Sequence, residues 1–425
     1  MKRPARALIA AACVAAIAVP SRALAVTCDS IPSGANPGAA TAPTVYIEGA
    51  TAVGSFLAPL QQALSIDPNP INLVYIGDGG CLGASNFFLN MPISRRPAPV
   101  YYAAESKETC DLPTAGFGRV SPTADIAVSD VYAPSCGTLS GGQLPPHVGD
   151  FLGPIQTMAF AVPTASTQRA MSAKGAYFVF GFGAGSGVAP WTVNSSIYRR
   201  NGSSAVQALF ASAIGVPLLR WMGVDASGIP ENIDAGLSNG SAVVNALDND
   251  PSPEQSIGIL SDTDIDATVA GRIRVLAYKD NDQNCAYYPD STATARDKVN
   301  VRDGHYTLWG PIHFFTYVDS RGVAQNPLVG RVISYLIGTA AAPGGVDIVQ
   351  TDADNRLVPA CAMHVARSVE MGPLMSVAPP ASCSCYYDYV ASGQSTCQAC
   401  AKEADCPPSA PVCNLSHPVA FCETQ

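Results

Sequence analysis

Half of the fourteen cysteines crowd into the last stretch of the chain, and this constrains the fold more than any other feature. Cys383, Cys385, Cys397, Cys400, Cys406, Cys413 and Cys422 alternate there with Pro379, Pro380, Pro407, Pro408, Pro411 and Pro418, and few apolar residues lie between them. A segment of this kind cannot bury enough apolar surface to fold alone, so it needs covalent staples. Residues 376–425 are therefore expected to form a small disulfide-rich unit. Cys28, Cys81, Cys110, Cys136, Cys285 and Cys361 are spread through the long body, and the total is too high for a reducing compartment.

The first residues supply a route to an oxidising one. Lys2, Arg3 and Arg6 precede the mostly apolar run Ala7 to Pro20, and Ala23-Leu24-Ala25 has the small-x-small pattern of a signal-peptidase site. Residues 1–25 read as a signal peptide, with the periplasm or the cell exterior as destination. Cys13 falls within that segment, but the three residues before it are all alanine and it sits too early for a lipidation signal. Its removal leaves thirteen cysteines, an odd number, so at least one is free or paired outside the chain. Four basic residues and no acidic ones leave with it, moving the formal net charge from -9 to -13. That balance argues against nucleic acid and anionic membranes as partners, while a small anion held by local donors stays compatible with it. No later apolar run is long enough to span a membrane.

Residues 26–43, rich in Pro, Gly, Ala, Ser and Thr, read as a flexible leader. The body then alternates strands and helices. Strands are expected at Val45–Ile47, Ile71–Ile76, Asp125–Val128, Pro154–Pro163, Ile197–Tyr198, Ile257–Leu260, Ile273–Tyr278 and His313–Tyr317. Helices are expected at Phe56–Leu64 and Ala205–Ala213, with Val332–Ile337 continuing the rhythm. Glycine- and serine-rich turns stand where strand gives way to helix, which predicts an α/β fold with its ligand at the carboxyl ends of strands.

Several of these turns carry recognisable motifs. Gly49-Ala50-Thr51 is followed by Ser55-Phe56-Leu57-Ala58-Pro59. Gly77-Asp78-Gly79-Gly80 follows the second strand, and Asp125 to Asp130 ends in Ser129-Asp130. Arg199-Arg200-Asn201-Gly202-Ser203-Ser204 leads into a helix, and Ile257-Gly258-Ile259 follows later. In this order they resemble the type-2 periplasmic solute-binding proteins of ABC transporters, nearest the phosphate-binding subfamily. The resemblance spans roughly residues 44–340 and excludes the tail. It implies a two-lobed fold, with lobe 1 built from residues 44–153 and 306–375 and lobe 2 from residues 154–305. It also implies an anion held by Arg199 and a helix start. The arginine, glycine and first serine of the subfamily's gripping element are matched, whereas Asn201, Ser204 and Ala205 depart from it.

The ligand-binding set is therefore expected to be Ser55, Phe56, Gly79, Gly80, Asp130, Arg199, Asn201, Gly202, Ser203 and Ser204. Backbone amides at a helix start favour an anion, an arginine adds two charge-assisted bonds, and Ser203 would also cap the helix. A carboxylate at Asp130 would accept a proton from a protonated oxyanion and so favour phosphate over sulfate. Asn201, where the subfamily has an acid, leaves a larger anion open. The expected function is capture of phosphate or a related oxyanion by cleft closure, with a transporter permease or an envelope component as partner. The other reading is an envelope interaction protein on a degenerate binding fold, with the tail as its partner module. No cofactor, metal site or enzyme activity is expected, because no H-E-x-x-H pattern occurs and Ser203 lies in no G-x-S-x-G elbow. Cys397-x-x-Cys400 stands among too many cysteines to single out zinc.

Overall fold

The computed structural model describes residues 26–32, 41–113, 121–137, 139, 142–224, 236–265 and 271–424. The expected signal peptide lies outside them. Lobe 1 is built on β1 (Thr44–Gly49), β2 (Asn72–Ile76) and β5 (Ile126–Ser129). β1 pairs in parallel with both others, Thr44 opposite Asn72 and Ile47 opposite Ile126. β2 and β5 are buried at every position and β1 from Val45 onward, as parallel strands covered on both faces must be. Helix α1 (Gly54–Ile66) packs Phe56, Leu57, Leu60 and Leu64 against Ile47, Leu73 and Val128 on one face. Helix α2 (Gly80–Phe88) covers Tyr46, Val74 and Ala127 on the other. The hairpin β3 (Val100–Ala103) and β4 (Ser106–Thr109) extends the edge.

Two long strands join the lobes. The first part of β6 (Val148–Pro163) pairs antiparallel with β12 (Trp309–Tyr317), with Trp309 opposite Thr157. β12 lies between β6 and β5, where His313 faces Ser129. From Met158 onward β6 changes neighbours, pairing with β9 (Ile257–Ser261) and with β10 (Ile273–Val275). β8 (Ile197–Tyr198) closes that edge, so the strand order is β4-β3-β2-β1-β5-β12-β6-β9-β8. This is the expected α/β architecture of two half-sheets. The passage between lobes falls at Thr157–Met158, within the strand rather than at its start. The same holds for β12: Trp309 packs in the lobe 2 core and Phe314 in that of lobe 1.

In lobe 2, β7 (Ala170–Ser172) leads into α3 (Ala173–Phe182), and α3 packs with α4 (Ala205–Ile214) against Phe160, Ile257 and Ile259. α5 (Gly240–Asp248) covers the opposite face with Val243, Val244 and Leu247. The single strand expected over Ile273–Tyr278 is two: at Leu276 the chain leaves β10, and β11 (Ala277–Lys279) pairs with β7 instead. A short α6 (Val299–Arg302) precedes β12, and α7 (Pro327–Leu336) returns to the lobe 1 core.

The two ends differ from expectation. Within the expected flexible leader, Cys28 and Ile31 are fully buried in lobe 1, and Cys28 is bonded to Cys110. The tail is no free appendage either. Following α8 (Ile348–Asp354) and the small pair β13 (Val365–Ala366) and β14 (Met375–Ser376), it forms α9 (Ser384–Ser392), β15 (Val412–Asn414) and β16 (Phe421–Glu423). Tyr386, Tyr387 and Phe421 belong to the same core as Phe160 and Trp309. Cys361–Cys383 staples the tail to the body, and Arg302 pairs with Asp388. Cys385–Cys397, Cys400–Cys413 and Cys406–Cys422 hold it internally. Cys81–Cys136 lies in lobe 1, and among the described residues exposed Cys285 is left free. Among the described residues no helix is long and apolar enough to cross a membrane.

Candidate functional site

The turns at the carboxyl ends of β1, β2, β5 and β9 meet the loop after β8 at the junction of the lobes. Gly49 ends β1 at a φ of +141°, and a side chain there would run into the Val128 backbone. Gly79 stands at a φ of +125°, donates to the Gly49 carbonyl at 2.9 Å, and leaves no spare room before Ser203. A Cβ at Gly80 would lie 2.8 Å from that of Ala205. Cys81, in the first turn of α2, donates its backbone N–H to the Ser203 carbonyl at 3.2 Å. The two lobes are thus in direct contact through the two loops expected to bind the ligand.

Asp130 is 3% exposed, and its Oδ1 has no hydrogen-bond partner among the described residues. Burial pushes its carboxyl up to about 7; Arg200 pulls it back, and Asp264 and Glu370 push it further. Arg200 is thus a cation close enough to act on Asp130. Its Nε and Nη2 donate to the carbonyls of Leu237 and Ser238 at 3.2 and 3.1 Å, and its backbone N–H donates to Gln207 Oε1. Burial lowers its pKa, while Asp264 and Asp130 oppose that shift. Arg199 is enclosed next to it, 2% exposed.

Asp264 completes the group. It follows β9, accepts from Ser261 Oγ at 2.7 Å, and is raised by burial against the pull of Arg200. Its carboxylate rests directly on Gly240, the first residue of α5, at a helix end that suits negative charge. Tyr75, whose hydroxyl donates to the Ala50 carbonyl, feels Asp130, Asp78 and Asp264 together, and burial with these charges raises its pKa well above 10.

A second carboxyl pair lies at the end of β1. Glu48 Oε1 accepts from Asn86 Nδ2 at 3.0 Å and from the Ser94 amide at 2.8 Å. Burial and then Glu48 push Asp78 up to about 8. Behind Asp130, Glu370 accepts the Tyr132 amide at 3.1 Å and is pushed up to about 7, chiefly by burial.

The expected residues divide accordingly. Gly79, Gly80, Asp130 and the 201–204 loop come together. Ser203 does not cap α4: its Oγ donates to Asn201 Oδ1 at 3.0 Å, and Ser204 holds the N-cap position without a side-chain bond. Gly202 sits partly covered in the same turn. Ser55 lies exposed on α1, and Phe56 belongs to the lobe 1 core. Sequence reasoning missed Tyr75, Asp78, Arg200 and Asp264. The available signals were the acidic Ser261-Asp262-Thr263-Asp264 at a strand end and an acid, Glu48, inside an otherwise apolar strand.

Two groupings outside this site carry no ligand chemistry. The sulfurs of Cys400, Cys406 and Cys422 approach one another as a metal-binding set would, but all three are in disulfides. Lys298 is buried between Asp262 and Asp290 at 2.5 and 2.7 Å, a satisfied ion triad.

No family model matches the sequence, and no curated protein matches it significantly. Solved structures do align with it. One is described as an ABC-type phosphate transport receptor from Vibrio cholerae, at 14% identity and a TM-score of 0.44 over 74% of this chain and 99% of that one. Another is a putative phosphate ABC transporter substrate-binding protein with bound phosphate from Clostridium perfringens, at 11% identity and a TM-score of 0.46 over 74% and 99%. A third is the ancestral soluble variant of the Human Phosphate Binding Protein, at 14% identity and a TM-score of 0.44 over 74% and 90%.

Proposed function

We propose that this chain is an exported solute-binding protein that captures phosphate or a related protonatable oxyanion between its lobes. The observation that carries the reading is Arg200 and Asp130, buried together where the Gly79–Cys81 turn meets Ser203. An oxyanion there would accept from the guanidinium and share one proton with Asp130. With that carboxyl near 7, the proton can sit on either partner and one O–H···O bond forms in both cases. Sulfate carries no such proton. A permease or envelope component would receive the closed form.

A second reading is an envelope interaction protein that keeps the fold without tight solute binding, the tail serving as partner module. It is favoured by the internal partners in the cleft: the Ser203 carbonyl takes the Cys81 amide, and Asp264 occupies the start of α5. Calorimetric titration of the purified chain with phosphate, sulfate, phosphonates and small organic anions separates the two. Heat with phosphate and none with sulfate supports capture; no heat with any anion while the protein is folded rules it out.

A further inference from the structure

A cavity of about 510 Å³, whose lining includes none of the interlobe residues described above, opens where the tail meets the body. Its rim is the turn after α7, including exposed Ala341; Val349 and Asp352 of α8 line it, and His417 and Pro418 of the tail form the facing wall. The volume is that of an ordinary small-molecule site. Asp352 is 1% exposed, and its Oδ1 has no hydrogen-bond partner among the described residues.

Apart from His417, the ionisable groups of the lining are acids. No Lys or Arg is among the described residues that line it, and Asp347 and Asp352 are its acids. Asp347 Oδ2 accepts from the Tyr386 hydroxyl at 2.5 Å, and the His417 ring stacks on Tyr386 with centroids 4.4 Å apart. Burial lowers the pKa of His417, which keeps that ring uncharged at neutral pH. Burial, followed by the charge of Asp347, raises Asp352 well above the ordinary carboxylate range. A buried carboxyl oxygen without a donor is costly, and an ammonium head with several N–H donors fills that empty acceptor and stabilises the ionised form of the carboxyl, whose proton passes to solvent.

We propose that this cavity binds a small primary alkylammonium, its head on Asp352 and its carbon chain along Val349, Ala341 and Pro418. Because the walls come from both body and tail, the occupied site would also hold the two together.

The test uses the full chain and three probes of equal length: n-hexylammonium, 1-hexanol and hexanoate. Calorimetry should show hexylammonium binding at least about tenfold more tightly than either other probe, and Asp352→Asn should remove that advantage. Ala341→Trp, a substitution on the exposed rim, should block all three while leaving any phosphate heat unchanged. Equal affinity for hexanol and hexylammonium would overturn the proposal. So would undiminished binding in Asp352→Asn, no heat with hexylammonium, or persistence of its binding in Ala341→Trp. If Asp352→Asn fails to fold, the probe series and the rim variant decide alone. Phosphate titration of the same samples reports on the interlobe site separately.

Discussion

The backbone N–H of Cys81 donates to the carbonyl of Ser203 at 3.2 Å, tying the first turn of a lobe 1 helix to the loop that opens a lobe 2 helix. Cys81 is itself fixed to Cys136 by a disulfide. The contact needs a turn without side chains beside it, and Gly79 and Gly80 supply that. Gly79→Ala combines a φ that alanine resists with a Cβ only 2.9 Å from the Ser203 carbonyl. It should destabilise the protein by about 1–3 kcal/mol and open the lobes. Urea denaturation measures the first effect, and a larger radius of gyration in small-angle scattering measures the second.

Arg200 is the counter-charge for two buried acids, Asp130 and Asp264. Arg200→Gln should cost about 3–5 kcal/mol, because both are left without it. If the chain captures an oxyanion, calorimetry of this variant should also show phosphate affinity falling by at least about tenfold.

The buried carboxyls set a pH dependence. Asp130 and Glu370 are pushed to about 7 and Asp78 to about 8, whereas their unfolded counterparts release protons near 3.8 and 4.5. Between those values the folded chain binds more protons than the unfolded one, so stability falls as pH rises. Below about 4 both states are protonated and the difference vanishes. The urea midpoint should therefore be higher at pH 5 than at pH 8, by the equivalent of at least about 2 kcal/mol. Asp130→Asn and Asp78→Asn, neutral at every pH, should each flatten the slope; an unchanged slope in both would refute this account.

The tail shares its core with the body through Tyr386, Tyr387 and Phe421, and Cys361–Cys383 spans the join. Deleting residues 381–425 should yield an aggregating product and not a trimmed receptor. Paired Cys361→Ser and Cys383→Ser substitutions should keep the fold but cost about 2–4 kcal/mol. Solubility and thermal melting distinguish these outcomes.

Much of the framework is legible in the sequence because it rests on continuous apolar runs punctuated by glycine. β1, β2, β5, β9 and α4 all have that form. Helix α2 does not: Gly83, Ser85 and Asn86 are weak helix formers, and Gly83 is required because a Cβ there would meet Gly49. That constraint comes from a neighbouring strand, which no local window contains. The part played by Arg200 beside Arg199 is illegible for a related reason. Side chains alternate along a strand, and a two-residue strand such as Ile197–Tyr198 is too short to show that both arginines after it are buried. The burial of Cys28 and Ile31 was hidden by composition, since the pairing with Cys110 bridges residues 82 apart in sequence. Asp264 was missed because its partners come from three separate turns.

β5 and β6 follow one another in the chain yet never pair; the strand that fills the space between them is β12, which begins at Trp309. A polypeptide emerging N-terminus first, from the ribosome or through a translocon, must therefore wait with an open slot in its central sheet until that late strand arrives. Throughout the interval the facing edges of Ile126–Ser129 and Val148–Thr157 are sticky, and intermolecular pairing competes with completion. Yield in a recombinant host should thus depend on how long nascent chains dwell in this half-built state more than on the stability of the finished protein.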